Sequence, residues 1–218
     1  MEKAEIIEKT EKFVKTKLYG EGSGHDWWHT WRVWQMAKRI GKKEKADLFI
    51  IELASLLHDI ADWKFQDRHN DLINIMIAKK WLEGLKLDPK IISNVCQIIK
   101  TMTFKGALVK DRTKSIEAKV VQDADRLDAM GAMGIARTFA YGGFKGRQMY
   151  DPDIKPKMHK SFKEYKDNKS PSINHFYEKL LFLKSRINTK TGKQLAEHRH
   201  NFMKKYLKEF FQEWKGKK

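Results

Sequence analysis

The chain has 218 residues, of which 41% are hydrophobic, 33% are charged and only four are proline. This composition excludes a disordered chain and suits one substantial helical core. The formal charge is +17, but the lysines are spread along the whole chain. We interpret this charge as a solvated surface or as attraction for anionic substrates, and keep nucleic acid as a less favoured partner.

The sequence gives no sign of export or of membrane insertion. The N-terminus lacks the apolar run of a signal peptide, and no apolar run approaches the roughly 20 residues that cross a bilayer. The single cysteine, Cys96, has no partner for an intramolecular disulfide. We therefore expect a cytoplasmic protein without a membrane partner.

Apolar spacing predicts helices throughout the first half of the chain. A first helix over residues 4–19 leads into a glycine-rich loop. Asp26 is the expected N-cap of a second helix, which Gly41 is expected to end. The next predicted helices cover residues 45–62, 67–83 and 89–102, the last of them opened by Asp88 and Pro89.

The second half of the chain is also predicted to be helical. One helix runs from residue 115 to Tyr141 and ends at Gly142. Residues 144–172 hold three of the four prolines and are predicted to form a charged insertion, either a lid over the site or a dimer contact. The remaining predicted helices run from a Ser172 cap to Leu183 and from Thr191 to Trp214.

These elements predict an all-α fold without an internal repeat. The length suffices for one substantial core or two small domains, and we expect a single domain over residues 1–218. Its predicted parts are a metal-binding core at about 20–143, the charged insertion 144–172 and C-terminal helices at 173–215.

A histidine followed by an aspartate lies in the most apolar of the predicted helices. Removing an imidazole and a carboxylate from water is costly unless a partner compensates both groups. A divalent metal would compensate His58 and Asp59 together, because both are good ligands for first-row ions. The alternative is a core histidine with satisfied hydrogen bonds beside an aspartate at a helix end.

Two further segments offer ligands of the same kind. His29 lies near the start of the second predicted helix, and three aspartates lie within residues 123–128. Two imidazoles and two carboxylates suit one Mn, Fe, Co, Ni or Zn ion, with Mg a further option. Such a set leaves coordination positions open for water and for substrate oxygens.

The order of these residues resembles a known superfamily. A histidine in an H-x-x-R-V context, a His-Asp pair and a later aspartate resemble the HD-domain metal-dependent phosphohydrolases. Four segments are similar to one bacterial and archaeal branch that includes nucleoside triphosphate pyrophosphohydrolases: 25–33, 58–65, 123–129 and 175–181. The resemblance implies an HD-type helical bundle that binds a divalent metal.

The resemblance also implies a ligand set of His29, His58, Asp59 and Asp125. We choose Asp125 over Asp123 because it directly precedes Arg-Leu, as in the superfamily pattern. Superfamily members with two metals carry extra histidines between the His-Asp pair and the last aspartate. Only His69 lies there in this chain, so we expect one metal ion.

The remaining candidates would act on the substrate. Asp62 is a candidate general base, and Lys64 and Arg32 are candidate cations for phosphoryl oxygens. In so basic a chain, each cation has the alternative of an ordinary surface charge. Candidates for substrate binding are His25 at the rim, Lys105, His175 and Asp128, the last of which could also orient a ligand or pair with Arg126.

We therefore predict a metal-dependent phosphohydrolase that acts on a small nucleotide, in particular a (deoxy)nucleoside triphosphate pyrophosphohydrolase. Several tryptophans flank His29, and one or two could stack on a nucleobase. One alternative is a nuclease or phosphodiesterase that acts on nucleic acid, favoured by the net charge. Another is a basic helical binding protein with a vestigial metal site. A homodimer is compatible with every one of these hypotheses.

Overall fold

A computed structural model describes residues 1–20, 26–61, 70–102, 113–158 and 170–218. Every regular element in these ranges is helical, which confirms the predicted all-α class. None of the described helices is long and apolar enough to cross a membrane. The α-helices are α1 (Lys3–Leu18), α2 (Trp27–Glu44), α3 (Leu48–Leu57), α4 (Asn70–Gly84), α5 (Pro89–Met102), α6 (Ile116–Asp128), α7 (Gly131–Phe144), α8 (Asn174–Glu178) and α9 (Lys190–Trp214), and a 3-10 helix covers Leu180–Arg186.

The described helices group into two compact units. The first unit contains α1 to α5 and α6 as far as Ala124, and the second contains the chain from Asp125 onward. The boundary falls inside the continuous helix α6. That the whole chain forms one domain stays a prediction.

In the first unit, α3 is the central helix. It packs against α1, α2 and α5, and α4 packs against α5. Nearly all of its residues are buried, including Leu53, Leu56 and Leu57. A helix that is apolar on every side is stable only when other elements surround it, so α3 forms the hydrophobic core on which the other helices rest.

Asp47 begins α3 as its N-cap. The Asp47 carboxylate accepts hydrogen bonds from the backbone N–H groups of Phe49 at 2.9 Å and Ile50 at 3.3 Å. These two donors would otherwise be unpaired at the start of the helix.

We expect Asp47→Ala to lower the free energy of unfolding by about 0.5–2 kcal/mol, the usual loss for an N-cap. Urea unfolding followed by circular dichroism measures the change. Asp47→Ser is the matched control, because serine retains a capping oxygen and should restore most of the stability. An equal loss in both variants would contradict the capping role.

In the second unit, α9 packs against α7 and the 3-10 helix. Aromatic rings fill the contact between α7, α8 and α9: Phe139, Phe176 and Tyr206 have ring centroids 5.9–6.2 Å apart. Tyr150 makes further ring contacts with the C-terminal part of α9, the nearest at 4.9 Å from Trp214. This aromatic packing holds α9 in place. The helix itself confirms the one predicted from about Thr191 to Trp214.

The prediction that Gly41 ends α2 is wrong. The helix continues to Glu44, and Lys45 ends it in a left-handed conformation. Gly41 is buried, and a Cβ atom there would lie 2.7 Å from Cδ1 of Ile51 on α3. The glycine therefore serves close packing of α2 on α3 rather than helix termination.

Two other predicted helix ends are also wrong. α3 ends at Leu57, so that His58 is its C-cap and Asp59 lies beyond it. The long helix predicted over 115–141 is two helices separated near Gly131, whose φ of +69° interrupts the helical backbone. α7 continues through Gly142 to Phe144. A Cβ atom at Gly142 would collide with Oγ of Ser172, so the glycine serves close packing.

The region after α7 differs from the prediction as well. Ser172 does not cap a helix, because the N-cap of α8 is Ile173. The backbone N–H groups of Ser172 and Ile173 instead donate to the carbonyls of Gln148 and Met149, each at 3.0 Å. The predicted single helix is the short α8 followed by the 3-10 helix. No helix occurs between 145 and 158, and residues 159–169 of the predicted insertion 144–172 lie outside the described residues.

Candidate metal centre

His29 lies in the first turn of α2, where the N-cap fixes the backbone. The Asp26 carboxylate accepts a hydrogen bond from the His29 N–H at 2.7 Å, which confirms Asp26 as the cap. The side chain of His29 is 1% exposed. The cap therefore positions a buried imidazole at the start of the helix.

His58 lies at the other end of a helix, as the C-cap of α3. Its Nδ1 atom is 2.8 Å from the Ser55 carbonyl oxygen. A carbonyl only accepts, so Nδ1 carries the proton and donates, and Nε2 keeps its lone pair. Nε2 is buried without a hydrogen-bond partner among the described residues. A ring with one nitrogen bound to a carbonyl and a free lone pair on the other is typical of a metal ligand.

Asp125 on α6 completes a group of three. One ligand atom from each of His29, His58 and Asp125 lies within 4.8 Å of the other two. The imidazole rings of the two histidines meet edge to face, with centroids 5.4 Å apart. Two imidazoles and a half-buried carboxylate fit a divalent first-row ion, and such an ion would satisfy the buried Nε2 of His58.

Asp59, the fourth predicted ligand, is not part of this group. It is half-buried and follows His58 directly, beyond the end of α3. Its role as a ligand stays a prediction.

The other candidates divide by position. Arg32 is half-buried on α2, one turn beyond His29. Asp128 is buried and accepts a hydrogen bond from Arg137 at 2.8 Å, while Arg126 donates to the Arg186 carbonyl. The half-buried His175 belongs to α8 in the second unit. His25, Asp62, Lys64 and Lys105 lie outside the described residues.

Sequence reasoning missed two supports of the His58 segment. Ser55 holds the imidazole through its backbone carbonyl, which no side-chain pattern can reveal. Asn74 is buried on α4, and its Oδ1 accepts the Ala61 N–H at 2.6 Å. The available signal was an amide side chain between isoleucines of an apolar helix, where a polar group needs a partner.

Comparisons with known proteins identify the family. The sequence model of the HD domain matches residues 27–130, a range that contains all four predicted ligands. The chain belongs to the HD-domain superfamily and is a metal-dependent phosphohydrolase.

Relatives match nearly the whole chain. The Bacillus subtilis protein YpgQ is 39% identical over 213 residues, covering 96% of this chain and 94% of YpgQ. An HD-superfamily hydrolase from Bacillus thuringiensis is 46% identical, with a TM-score of 0.76 over 98% of this chain and 99% of that protein. A crystal structure of YpgQ in complex with ADP has a TM-score of 0.74 and 38% identity, covering 95% and 97% of the two chains.

Proposed function

We propose that this phosphohydrolase cleaves a (deoxy)nucleoside triphosphate into a nucleoside monophosphate and pyrophosphate. The observation that carries the proposal is the group formed by His29, His58 and Asp125. The ADP bound to YpgQ supports a nucleotide as the substrate class.

The proposed ligands are the three clustered side chains with Asp59 as a fourth. A divalent ion bound there would acidify a water molecule and polarise a phosphoryl oxygen. His29 and His58 would bind as neutral imidazoles. The Ser55 carbonyl keeps the proton of His58 on Nδ1 and so leaves Nε2 for coordination.

Arg32 lies on α2, one turn beyond the proposed ligand His29. Its guanidinium would donate hydrogen bonds to non-bridging phosphate oxygens, which carry the charge that increases during phosphoryl transfer. Asp62 would accept a proton from the attacking water at its carboxylate, and Lys64 would pair with a leaving oxygen. The last two assignments rest on the sequence.

Two exposed tryptophans on α2 favour a nucleotide over a simple phosphate ester. Trp28 is 52% exposed and Trp31 is 39% exposed, and their rings meet edge to face with centroids 6.3 Å apart. Exposed indole surface is costly in water, and an aromatic ring can stack on any nucleobase. Both residues flank the turn that carries His29.

A substrate panel tests the proposal. We expect metal-free protein supplied with Mn, Co, Ni or Mg to convert nucleoside triphosphates to monophosphates, with pyrophosphate as the second product. Anion-exchange chromatography separates pyrophosphate from orthophosphate. Release of orthophosphate alone would overturn the pyrophosphohydrolase assignment, and cleavage of single-stranded DNA or RNA alone would favour the nuclease.

A matched pair of variants tests the role of Arg32. Arg32→Gln is expected to lower kcat/KM by about 10- to 100-fold, because a charge-assisted hydrogen bond contributes about 1.5–3 kcal/mol. Arg39→Gln removes an exposed arginine from the same helix and should leave kcat/KM unchanged. An equal effect of both variants would indicate general electrostatic attraction instead.

A further inference from the structure

We infer that the first unit contains a second binding site, between α1 and α4, for a free amphiphilic anion with one acidic head group. A cavity of about 810 Å³ lies there. This volume is within the range of small-molecule sites, about 300–1,000 Å³. Its lining residues are Phe13, Lys17, Ile60, Ile73, Ile77, Lys80, Trp81, Gly84 and Leu85.

The wall on the α4 side is a continuous apolar stripe. Ile73, Ile77 and Trp81 are spaced four residues apart, so their side chains follow one face of α4. All three are only half-buried. Apolar surface in a concave site remains in contact with water, and covering it with an apolar ligand favours binding.

An aromatic pair forms a rigid end of the cavity. The rings of Phe13 and Trp81 stack in parallel, with centroids 3.9 Å apart and planes 2° from each other. The indole N–H of Trp81 donates to Oγ1 of Thr10 at 3.0 Å, and that hydroxyl donates to the Ile6 carbonyl at 2.8 Å. Because these bonds fix the indole in advance, little side-chain freedom remains to be lost on binding.

The charged part of the site is positive. Lys17 lies one turn beyond Phe13 on α1, and Lys80 precedes Trp81 on α4; both are exposed. The described lining residues include no carboxylate, and neither lysine forms an ion pair with an acidic side chain in the described ranges. Lys79, by contrast, lies 3.7 Å from Glu83. An apolar cavity with two such ammonium groups complements an apolar body that carries one anionic group.

This site is separate from the metal centre, because none of the four predicted metal ligands lines the cavity. The inferred site therefore does not depend on the assignment of a nucleotide as the substrate. The body of the ligand would contact the α4 stripe and Trp81, and its carboxylate, sulfonate or phosphate would lie near Lys17 and Lys80.

Two fluorescent probes with the same rings test the inference on the full chain. 8-Anilinonaphthalene-1-sulfonate carries the anionic group, and N-phenyl-1-naphthylamine lacks it. We expect saturable binding of the sulfonate at one site, with energy transfer from tryptophan, and displacement by decanoate but not by decanol. The uncharged probe should bind more weakly.

Variants locate the binding site and provide the control. Lys17→Gln with Lys80→Gln should weaken sulfonate binding by about 2- to 30-fold, the range for two exposed ion pairs. Lys79→Gln, on the same helix outside the cavity, should leave it unchanged. Ile77→Trp should weaken binding by narrowing the cavity, and the lysine variants decide the question if that protein does not fold.

Three outcomes would overturn the inference. The first is equal affinity for the charged and uncharged probes. The second is an equal response to Lys79→Gln and to the Lys17 and Lys80 double variant. The third is binding only to anionic phospholipid vesicles, with no displacement by decanoate, because that result would assign the lysines to a membrane surface.

Discussion

Replacing His58 with alanine is expected to remove bound metal and to lower turnover by more than about 100-fold. Loss of a group that merely supports a metal ligand typically costs about 10- to 100-fold in affinity or activity, and His58 is itself a proposed ligand. The substitution removes the imidazole that groups with His29 and Asp125, and with it the buried Nε2 atom. Metal content by elemental analysis and phosphate release by chromatography are the two measurements.

The control for this variant is His198→Ala, which removes an exposed histidine from α9. It should retain both metal and activity. Circular dichroism should show that His58→Ala keeps its helices, because His58 follows the last residue of α3. A His58→Ala protein with full metal content and normal turnover would contradict the ligand assignment.

Leu56→Ala is expected to produce the largest loss of stability. Leu56 on α3 is 0% exposed, so truncation leaves a cavity in the core of the first unit. Leucine-to-alanine changes of this kind lower the free energy of unfolding by about 2–5 kcal/mol. Urea denaturation, monitored by circular dichroism, measures the difference from the unmodified protein.

The matched control is Leu72→Ala on α4, where the side chain is 57% exposed. We expect a change within about 0.5 kcal/mol, as for most surface substitutions. If the two alanine variants lost the same stability, α3 would not be the core helix. The pair separates burial from the chemistry of the substitution, because both remove the same atoms.

Local chemistry explains which helix starts were predictable. Asp26 and Asp88 could be predicted as N-caps because each precedes a segment with helical apolar spacing. The carboxylate of such an aspartate accepts a hydrogen bond from a backbone N–H in the first turn. The backbone N–H of Lys90 donates to Asp88 Oδ1 at 2.7 Å. Such bonds involve neighbours in sequence, so the sequence contains the necessary information.

Helix ends were less predictable, because tertiary contacts decide them. Gly41 was interpreted as a terminator, yet its missing side chain allows α2 to approach Ile51. Gly131, in contrast, lies where a helix was expected to continue and adopts a positive φ. A glycine can serve either role, and only the packing partner distinguishes them.

The metal centre was predictable in its side chains but not in its backbone contacts. Residue types and the family resemblance identified the three side chains that the fold brings together: His29, His58 and Asp125. The sequence could not reveal that the Ser55 carbonyl selects the tautomer of His58. It also could not reveal the cavity between α1 and α4, because that site depends on how the half-buried faces of two distant helices meet.

The hydrogen bond from the Ala61 N–H to Asn74 has a thermodynamic consequence. It joins the chain three residues beyond His58 to α4, the helix that carries Ile73 and Ile77. An effector that shifts the equilibrium position of α4 would therefore alter the free energy of the His58 segment, and with it the affinity of the site for a metal ion. Reciprocity then requires that a bound metal ion change the affinity for that effector by the same factor.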